Sequence, residues 1–244
     1  MSTGVVVAVP ARDEADGIGH TLTRVRQAID HARTLGLLDD ATVEVIAHRC
    51  TDATAARAWE VLGPAQAGRV VLDVYSTTVG EVRDRAARRG LAHLSTPLRQ
   101  SWVLSTDADT TVGRSWVADI LNAAARTGVV GVVGLAPLDR WQGTPHGAAA
   151  YARVLAAKMR LGDSRHQHDH VYGANLAVRG DAYLAVGGFS RVPHGEDQAL
   201  VDALAAAGYP LLRTADIQVL TSGRLHGRAA GGLAVHLAAL NSTA

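Results

Sequence analysis

Short apolar runs alternate with longer amphipathic segments through the first half of the chain. The runs are rich in β-branched residues and continuously apolar, which is typical of strands buried on both faces. Four of them predict strands, at residues 4–10, 41–48, 68–75 and 101–105. The segments between them predict helices, at residues 15–35, 53–62 and 79–94, the last closing near Gly90. A helix over residues 115–126 and a strand within residues 128–136 complete five alternating units. This alternation predicts an α/β fold with a doubly wound, mostly parallel sheet.

The second half of the chain has a less regular pattern. A helix is predicted near residues 147–160, before a polar, histidine-rich stretch that we interpret as a loop. Residues 171–189 predict a strand and a short helix, and residues 195–209 open another helix. The tail from Leu211 predicts two short strands, a basic glycine-rich turn and a last apolar helix. Because we find no repeat and no linker, we expect a single domain over residues 1–244.

Composition narrows the class of protein. The chain has 24 Lys and Arg against 23 Asp and Glu, a net charge of +1, which gives no electrostatic reason to expect nucleic acid or an anionic membrane as a partner. Cys50 is the single cysteine and fits a reducing compartment. The amino terminus does not have the pattern of a signal peptide, and no apolar run approaches the ~18 residues of a membrane span. We therefore expect a cytoplasmic enzyme or binding protein, and a homodimer is compatible with the sequence.

Polar residues at strand ends are the first candidates for chemistry. Pro10, His48 and Asp107 all fall at the carboxyl ends of predicted strands, where ligands of open parallel sheets bind. Asp107 and Asp109 could converge on Mg²⁺ or Mn²⁺, which bind oxygen ligands and leave positions for a diphosphate. The alternative is that one of these aspartates only caps the following helix.

Three further clusters are ambiguous when each is considered alone. Glu196 and Asp197 open a helix, where acidic residues are favoured by the helix dipole, but either could act as a general base. Arg224 and Arg228 could grip a diphosphate or belong to a solvated basic loop, and His226 between them is a candidate metal ligand. The third cluster, a zinc site or a loop, consists of His166, His168, Asp169 and His170.

Taken in order, the segments of the chain resemble glycosyltransferase family 2, whose members have the GT-A fold. "VVVAVPARDEADGI" is similar to the opening strand and Pro-x-x-(Asn/Asp)-Glu turn of that family, and "RCTDAT" is similar to the loop after its second strand. "VGEVRDRAARRG" resembles the segment that approaches the donor, and "STDADT" resembles the Asp-x-Asp metal motif. "GANLAVRGDAYLAVGGF" followed by "GEDQAL" resembles the Gly-x-Asn strand and the Glu-Asp base motif. The resemblance runs from about residue 5 to residue 228.

The resemblance implies a metal-dependent transferase that uses a UDP- or GDP-linked sugar donor. It implies a nucleotide-sugar-binding half over about residues 1–110 and an acceptor-binding half over about residues 111–244. Asp107 and Asp109, with His226, would hold Mn²⁺ or Mg²⁺, and Asp197 would be the base, supported by Glu196. The residues expected to contact the donor or the sugar are Pro10, Arg12, Glu14, His48, Arg83, Asp107, Gly173, Asn175, Arg224 and Arg228.

Two departures from the family pattern restrict the prediction. His48 and Arg49 stand where many relatives carry an Asp or Asn that reads the nucleobase or its ribose, so the base remains open between uridine and guanosine. The Gln-x-x-Arg-Trp motif of processive synthases is absent, which favours a single transfer. We expect an inverting reaction on an unidentified acceptor hydroxyl.

Three alternatives differ in their chemistry. The first is a retaining transferase acting on a small anionic acceptor such as phosphoglycerate. The second is a nucleotide-sugar-binding protein without turnover. The third, a sugar-1-phosphate nucleotidyltransferase, is disfavoured because "PARDEAD" replaces the Gly-rich basic loop expected after the first strand.

Overall fold

A computed structural model describes residues 2–65, 67–157, 159–160, 167–227 and 232–242. Its strands are β1 (Gly4–Ala11), β2 (Asp40–His48), β3 (Gly68–Asp73), β4 (Ser101–Ser105), β5 (Thr111–Val112), β6 (Gly131–Leu135), β7 (Leu138–Trp141), β8 (Met159–Arg160), β9 (Gln167–His168), β10 (Leu176–Arg179) and β11 (Leu211–Gly223). Its helices are α1 (Ile18–Thr34), α2 (Thr54–Leu62), α3 (Val79–His93), α4 (Trp116–Thr127), α5 (Pro145–Ala157), α6 (Gly180–Ala185), α7 (Glu196–Ala206) and α8 (Leu233–Ser242). Among these described helices, none is long and apolar enough to cross a bilayer.

Strands from both halves of the chain form one sheet, in the order β3-β2-β1-β4-β10-β6-β11-β5. β7 pairs with β11 beside this path, and β8 pairs with β9 separately. The first four strands of the order are parallel, whereas β10 runs antiparallel to both of its neighbours, β4 and β6. The predicted α/β class and the mostly parallel sheet are confirmed.

This topology gathers the candidate residues at one edge of the sheet. The carboxyl ends of the parallel strands β1 to β4 lie together, with Ala8 of β1 beside Ser105 of β4 and His48 of β2 beside Asp73 of β3. Because β10 is antiparallel, it begins at that same edge, where Leu176 pairs with Ser105. We call this edge of the sheet, where β1 to β4 end and β10 begins, the rim. Residues Gly173 to Asn175, which precede β10, therefore reach the rim from the opposite chain direction.

The sheet is buried on both faces, as its apolar runs predict. Along β1, Val5, Val7 and Val9 face a core shared with α1 and α4, while Val6 faces a second core shared with α3, α6 and α7. All four valines are fully buried. Each such side chain contributes about 1.5–3 kcal/mol to stability, so the central strands form a rigid base for the rim.

Two details of the predicted secondary structure are wrong. The third helix does not close at Gly90 but continues to His93, because Gly90 is buried at the point where α3 packs on Val6 of β1. The tail forms one long strand, β11, in place of two short ones. β11 changes partners along its length, from β6 to β5 and β7, and its register shifts within the β6 pairing and within the β7 pairing, which explains why its apolar pattern is interrupted.

We expect Gly90→Ala to destabilise the protein by about 1–3 kcal/mol, since a Cβ at this position would overlap the Val6 side chain. Gly19→Ala is the matched control: Gly19 lies in α1, and a Cβ there has no neighbour within 4 Å among the described residues. That control should stabilise the protein by up to about 1 kcal/mol through helix propensity alone. Urea unfolding of both variants measures the difference, and equal effects would show that α3 is not packed as described.

Candidate active site

Arg83 is the central residue of the rim. Its side chain is only 5% exposed, and Nη2 donates to Asp107 Oδ1 at 2.5 Å while Nε donates to Glu196 Oε1 at 3.0 Å. Nη1 donates to Ser105 Oγ at 2.7 Å and to the Gly173 carbonyl at 3.3 Å. One guanidinium thus joins the Asp-x-Asp segment, the Gly-x-Asn segment and the Glu-Asp segment.

The two carboxylate partners of Arg83 stabilise its positive charge. Burial works against the charged form, but the nearby charges of Asp107 and Glu196 outweigh it, so the pKa of Arg83 lies above its ordinary value. Neither Asp107 nor Glu196 has another arginine bonded to it among the described residues. Arg83 therefore supplies the positive charge that balances the two neighbouring carboxylates, Asp107 and Glu196, at the rim.

Local sequence explains how Arg83 reaches this position. Thr78 and Glu81 form a capping box that fixes the start of α3 one turn before Arg83. Glycine at 80 allows α3 to approach α7 closely, since a Cβ there would overlap Ser190 O and lie 3.1 Å from Glu196 Cβ. Glycine at 173 is needed for the same reason, because a Cβ would lie 2.7 Å from Arg83 Nη2. The glycine of the Gly-x-Asn segment makes room for the arginine.

Asp197 lies beside this network at the start of α7. Its Oδ2 accepts a hydrogen bond from the Gly173 N–H at 2.7 Å, and its Oδ1 accepts one from the Gln198 N–H at 2.8 Å. Asp197 is half-buried, unlike the buried Glu196 that precedes it. The two adjacent acids therefore differ in environment: Glu196 is paired with Arg83, and Asp197 is held by main-chain donors with part of its carboxylate reachable.

Asp107 and Asp109 form the second acidic feature of the rim. Asp107 is 34% exposed and bonds Arg83 through Oδ1, and none of the described residues bonds its Oδ2. Burial and then the charge of Asp107 raise the pKa of Asp109 to about 6. The raised pKa means that the ionised form of Asp109 is disfavoured, mainly by its burial and in part by the neighbouring charge of Asp107. Two oxygen donors in this state fit a hard divalent ion such as Mn²⁺ or Mg²⁺.

Arg224 lies next to Asp109 and pairs with acidic residues. Its guanidinium makes a two-pronged contact with Glu14, at 2.8 Å from Nη1 to Oε2 and 2.5 Å from Nη2 to Oε1. Nη2 is also 3.1 Å from Asp109 Oδ2. Arg224 thus brings the tail of the chain onto the loop after β1. In this structure the guanidinium N–H groups of Arg224 face the carboxylates of Glu14 and Asp109. A diphosphate would have to compete with these carboxylates for Arg224.

His48 is paired with a residue that the sequence did not single out. Its Nδ1 is 2.9 Å from Oδ2 of Asp73, which is buried at the end of β3 and also bonds Arg85. Although burial alone would raise it, hydrogen bonds from Ser76 and His48 hold the pKa of Asp73 below its usual value. The position of Asp73 at a strand end is the signal that could have found it. An acid is therefore present at the end of β3, beside His48 at the end of β2.

The side-chain amide of Asn175 is hydrogen-bonded to two neighbouring strands and a helix. Its Nδ2 donates to the carbonyls of Leu135 and Ile217 at 2.8 and 3.0 Å, and its Oδ1 accepts from Trp116 Nε1 at 2.9 Å. These bonds tie β6, β11 and α4 together below the rim. The amide holds the Gly-x-Asn turn in place, and its role as a sugar contact stays a prediction.

The remaining predicted residues lie around these groups. Pro10 is half-buried at the end of β1, Arg12 is exposed on the following loop, and His226 is exposed beyond β11. The one cluster of three metal-ligating side chains found among the described residues contains neither His226 nor Asp107 nor Asp109, so the metal role of these three residues stays a prediction. Arg228 and His166 lie outside the described residues.

The loop interpretation of the histidine-rich stretch is wrong for His168, which belongs to a strand, and holds for His170; both side chains are buried. His168 lies in the short strand β9, and its ring nitrogens face the carbonyls of His170 and Thr214 at 3.1 and 3.2 Å. The His170 ring stacks on Tyr172 with centroids 5.5 Å apart. These contacts hold the segment of the chain that leads into the Gly173 turn.

Asp13, Cys50 and Asp52 form a cluster whose donor atoms lie within 4.8 Å of one another. Main-chain and hydroxyl donors already occupy the two carboxylates: Asp13 bonds Thr51, and Asp52 bonds Thr54 and the Ala15 N–H. Burial raises the pKa of the Cys50 thiol. The protonated Cys50 thiol and the hydrogen-bonded carboxylates of Asp13 and Asp52 therefore join the loop after β1 to the loop after β2.

No protein-family model and no curated protein matches the sequence. Solved structures match it. Mannosyltransferase PcManGT from Pyrobaculum calidifontis, in complex with GDP-Man and Mn²⁺, has a TM-score of 0.65 at 20% identity over 92% of this chain and 57% of that chain. S. aureus TarS 1–349 in complex with UDP-GlcNAc has a TM-score of 0.63 at 15% identity, over 94% of this chain and 60% of that one. M. tuberculosis glucosyl-3-phosphoglycerate synthase has a TM-score of 0.53 at 18% identity, over 98% and 77%.

These likenesses define the class of fold. The chain has the fold of GT-A-type glycosyltransferases, as its motifs predict. It spans less than two thirds of the length of the first two matching chains.

Proposed function

We propose that this protein is a metal-dependent glycosyltransferase that moves a sugar from a UDP- or GDP-linked donor to an acceptor hydroxyl in a single, inverting transfer. The observation that carries the proposal is the Arg83 network, which joins Asp107 to Glu196 and leaves Asp197 adjacent on the same rim. The fold supports it, because similar structures were solved with GDP-Man and Mn²⁺ and with UDP-GlcNAc.

The donor side of the proposed site is acidic. Asp107 and Asp109 would hold Mn²⁺ or Mg²⁺, with His226 as a third candidate, and a bound cation supplies charge neutralisation to the departing nucleoside diphosphate. His48 and Asp73, at the ends of β2 and β3, would receive the nucleoside. Pro10, Arg12 and Glu14 would line the same pocket from the loop after β1.

The acceptor side is formed by Asp197 and the Gly173 turn. As the acceptor oxygen bonds to the anomeric carbon, the bond from that carbon to the diphosphate oxygen breaks, and the Asp197 carboxylate takes the hydroxyl proton. The Gly173 N–H fixes Oδ2 of Asp197, which orients the carboxylate. Arg83 Nε donates to Glu196 Oε1, which engages that carboxylate, so that Asp197 is the acid left to take the proton. Attack opposite the leaving group predicts inversion at the anomeric carbon.

A retaining transfer to a small anionic acceptor is the second candidate. It is favoured by the likeness to glucosyl-3-phosphoglycerate synthase, which extends over 98% of this chain. The anomeric configuration of the product, read by NMR, separates the two candidates. A retained configuration would remove the role of Asp197 as the base of an inverting reaction.

Donor binding is the direct test of the proposed function. With Mn²⁺ or Mg²⁺ and a UDP-, GDP- or dTDP-linked sugar at a hundredfold excess over its Kd, we expect stabilisation by about 2.7 kcal/mol. Asp109→Ala should abolish the part of this stabilisation that depends on metal. Thermal shift with and without EDTA measures both effects.

The matched control for Asp109→Ala is Asp30→Ala, which removes an exposed aspartate of α1 that pairs only with Arg33 among the described residues. This control should respond to donor and metal as the unmodified chain does. If no nucleotide sugar stabilised the unmodified protein, the proposed function would be refuted. If Asp109→Ala responded normally, only the metal assignment would be wrong.

A further inference from the structure

Arg224 shares a carboxylate with the proposed metal site. Its Nη2 lies 3.1 Å from Oδ2 of Asp109, one of the two aspartates proposed to hold Mn²⁺ or Mg²⁺. The same guanidinium donates from Nη1 to Glu14 Oε2 at 2.8 Å and from Nη2 to Glu14 Oε1 at 2.5 Å. A divalent cation that binds Asp109 therefore meets a positive charge that is already paired with that carboxylate.

The two arginines beside the Asp-x-Asp segment differ in how firmly they are held. The side chain of Arg83 is 5% exposed, and besides its two carboxylates it bonds a buried hydroxyl and a main-chain carbonyl. The side chain of Arg224 is 24% exposed, and among the described residues its guanidinium pairs only with Glu14 and Asp109. Arg83 cannot move without breaking several buried bonds, whereas Arg224 can release Asp109 by breaking one contact.

Glu14 provides a pivot for that movement. Each of its carboxylate oxygens accepts from a different nitrogen of Arg224, so the Nη1 bond can persist while Nη2 turns away from Asp109. Glu14 is itself anchored, because its N–H donates to the Thr54 hydroxyl at 2.7 Å. Arg224 is the first residue after β11, whose main chain is paired with neighbouring strands. The exchange therefore needs only rotation of the Arg224 side chain.

We propose that Arg224 and the divalent cation are alternative partners of Asp109, and that Arg224 passes to the diphosphate of the donor when the cation binds. The proposal rests on the proposed function and adds to it a coupling between metal and donor. A guanidinium fits phosphate oxygens through paired, charge-assisted hydrogen bonds, so a diphosphate is a suitable second partner. The cation alone displaces Arg224 without compensation, whereas cation and diphosphate together give Asp109 and Arg224 a partner each. Metal and nucleotide therefore bind cooperatively.

An arginine that did not exchange partners would have a different effect on binding. If Arg224 stayed on Asp109, it would weaken metal binding and would not contact the diphosphate. If it contacted only the diphosphate, it would strengthen nucleotide binding and leave the metal unaffected. Only the exchange predicts that removing Arg224 changes the two affinities in opposite directions.

Arg224→Met tests the exchange through two dissociation constants. For Mn²⁺ alone, measured by electron paramagnetic resonance of the free ion, we expect the Kd to fall about tenfold, because Asp109 is no longer paired. For UDP or GDP at saturating Mn²⁺, measured by calorimetry, we expect the Kd to rise about tenfold, because the diphosphate loses a forked partner. Arg126→Met is the matched control. Arg126 is exposed in the last turn of α4, and its replacement should leave both constants unchanged.

Thermal melting shows whether each variant is folded. Arg224→Gln, which keeps a hydrogen-bond donor for Glu14, carries the test if the methionine variant does not fold. If UDP or GDP bound the unmodified chain but either Kd stayed the same in the variant, the exchange would be wrong and the proposed function would stand. If neither nucleotide bound the unmodified chain with Mn²⁺, both proposals would be wrong.

Discussion

Asp197→Asn is expected to lower kcat by about 10²–10⁴-fold while leaving donor affinity nearly unchanged. The amide is isosteric with the carboxylate, and its oxygen can still accept the hydrogen bond from the Gly173 N–H, although the one from the Gln198 N–H is lost, so the turn at Gly173 should keep its shape. It cannot take a proton from the acceptor hydroxyl. Steady-state kinetics, combined with thermal shift in the presence of donor and metal, separates the loss of turnover from any loss of binding.

The matched control for this variant is Asp202→Asn. Asp202 lies on the same helix, where its Oδ1 accepts a hydrogen bond from the exposed Gln198 side chain. Its replacement should leave kcat within about twofold, because an exposed hydrogen bond contributes little. Normal turnover by Asp197→Asn would show that another group accepts the proton. Loss of donor binding in that variant would instead show that Asp197 holds the site together.

The rim could be predicted from the sequence because it depends on local patterns. Buried parallel strands appear as continuous apolar runs, and His48 and Asp107 were placed at the ends of two of them. Once the strands are parallel, their ends must lie at one edge. Gly173 reaches the same edge only because β10 is antiparallel. The antiparallel direction of β10 depends on which strands it pairs with. No local sequence pattern indicates which strands pair.

The ion pairs of the site could not be predicted, since each depends on distance in space. Arg83 and Glu196 are separated by 113 residues, and Arg224 and Glu14 by 210. The sequence indicates that these residues are candidates for ligand contacts, but it does not show that they are paired with one another. Arg83 in particular lies among five other arginines or acids of α3, and only the fold shows that it alone of the arginines on that helix is buried.

Arg83→Met is expected to reduce the free energy of unfolding by about 3–5 kcal/mol, because it leaves the buried Glu196 carboxylate without its partner and removes the counter-charge of Asp107. Arg33→Met on α1 is the control. Arg33 forms an exposed pair with Asp30 within one helical turn, so its loss should cost no more than about 1 kcal/mol. Urea unfolding of the two variants gives both values, and equal losses would show that Arg83 is not a buried link.

Arg83→Lys separates the positioning role of this residue from its contribution to stability. Lysine keeps the positive charge, but a single ammonium cannot hold Asp107, Glu196 and the Gly173 carbonyl in the forked arrangement that a guanidinium provides. We expect the lysine variant to fold, with kcat/KM and metal affinity lowered about 10–100-fold, since Asp107 would lose the partner that orients it. If Arg83→Lys retained full activity and metal affinity, charge alone would suffice at this position, and the link between the donor and acceptor sides would not depend on the geometry of Arg83.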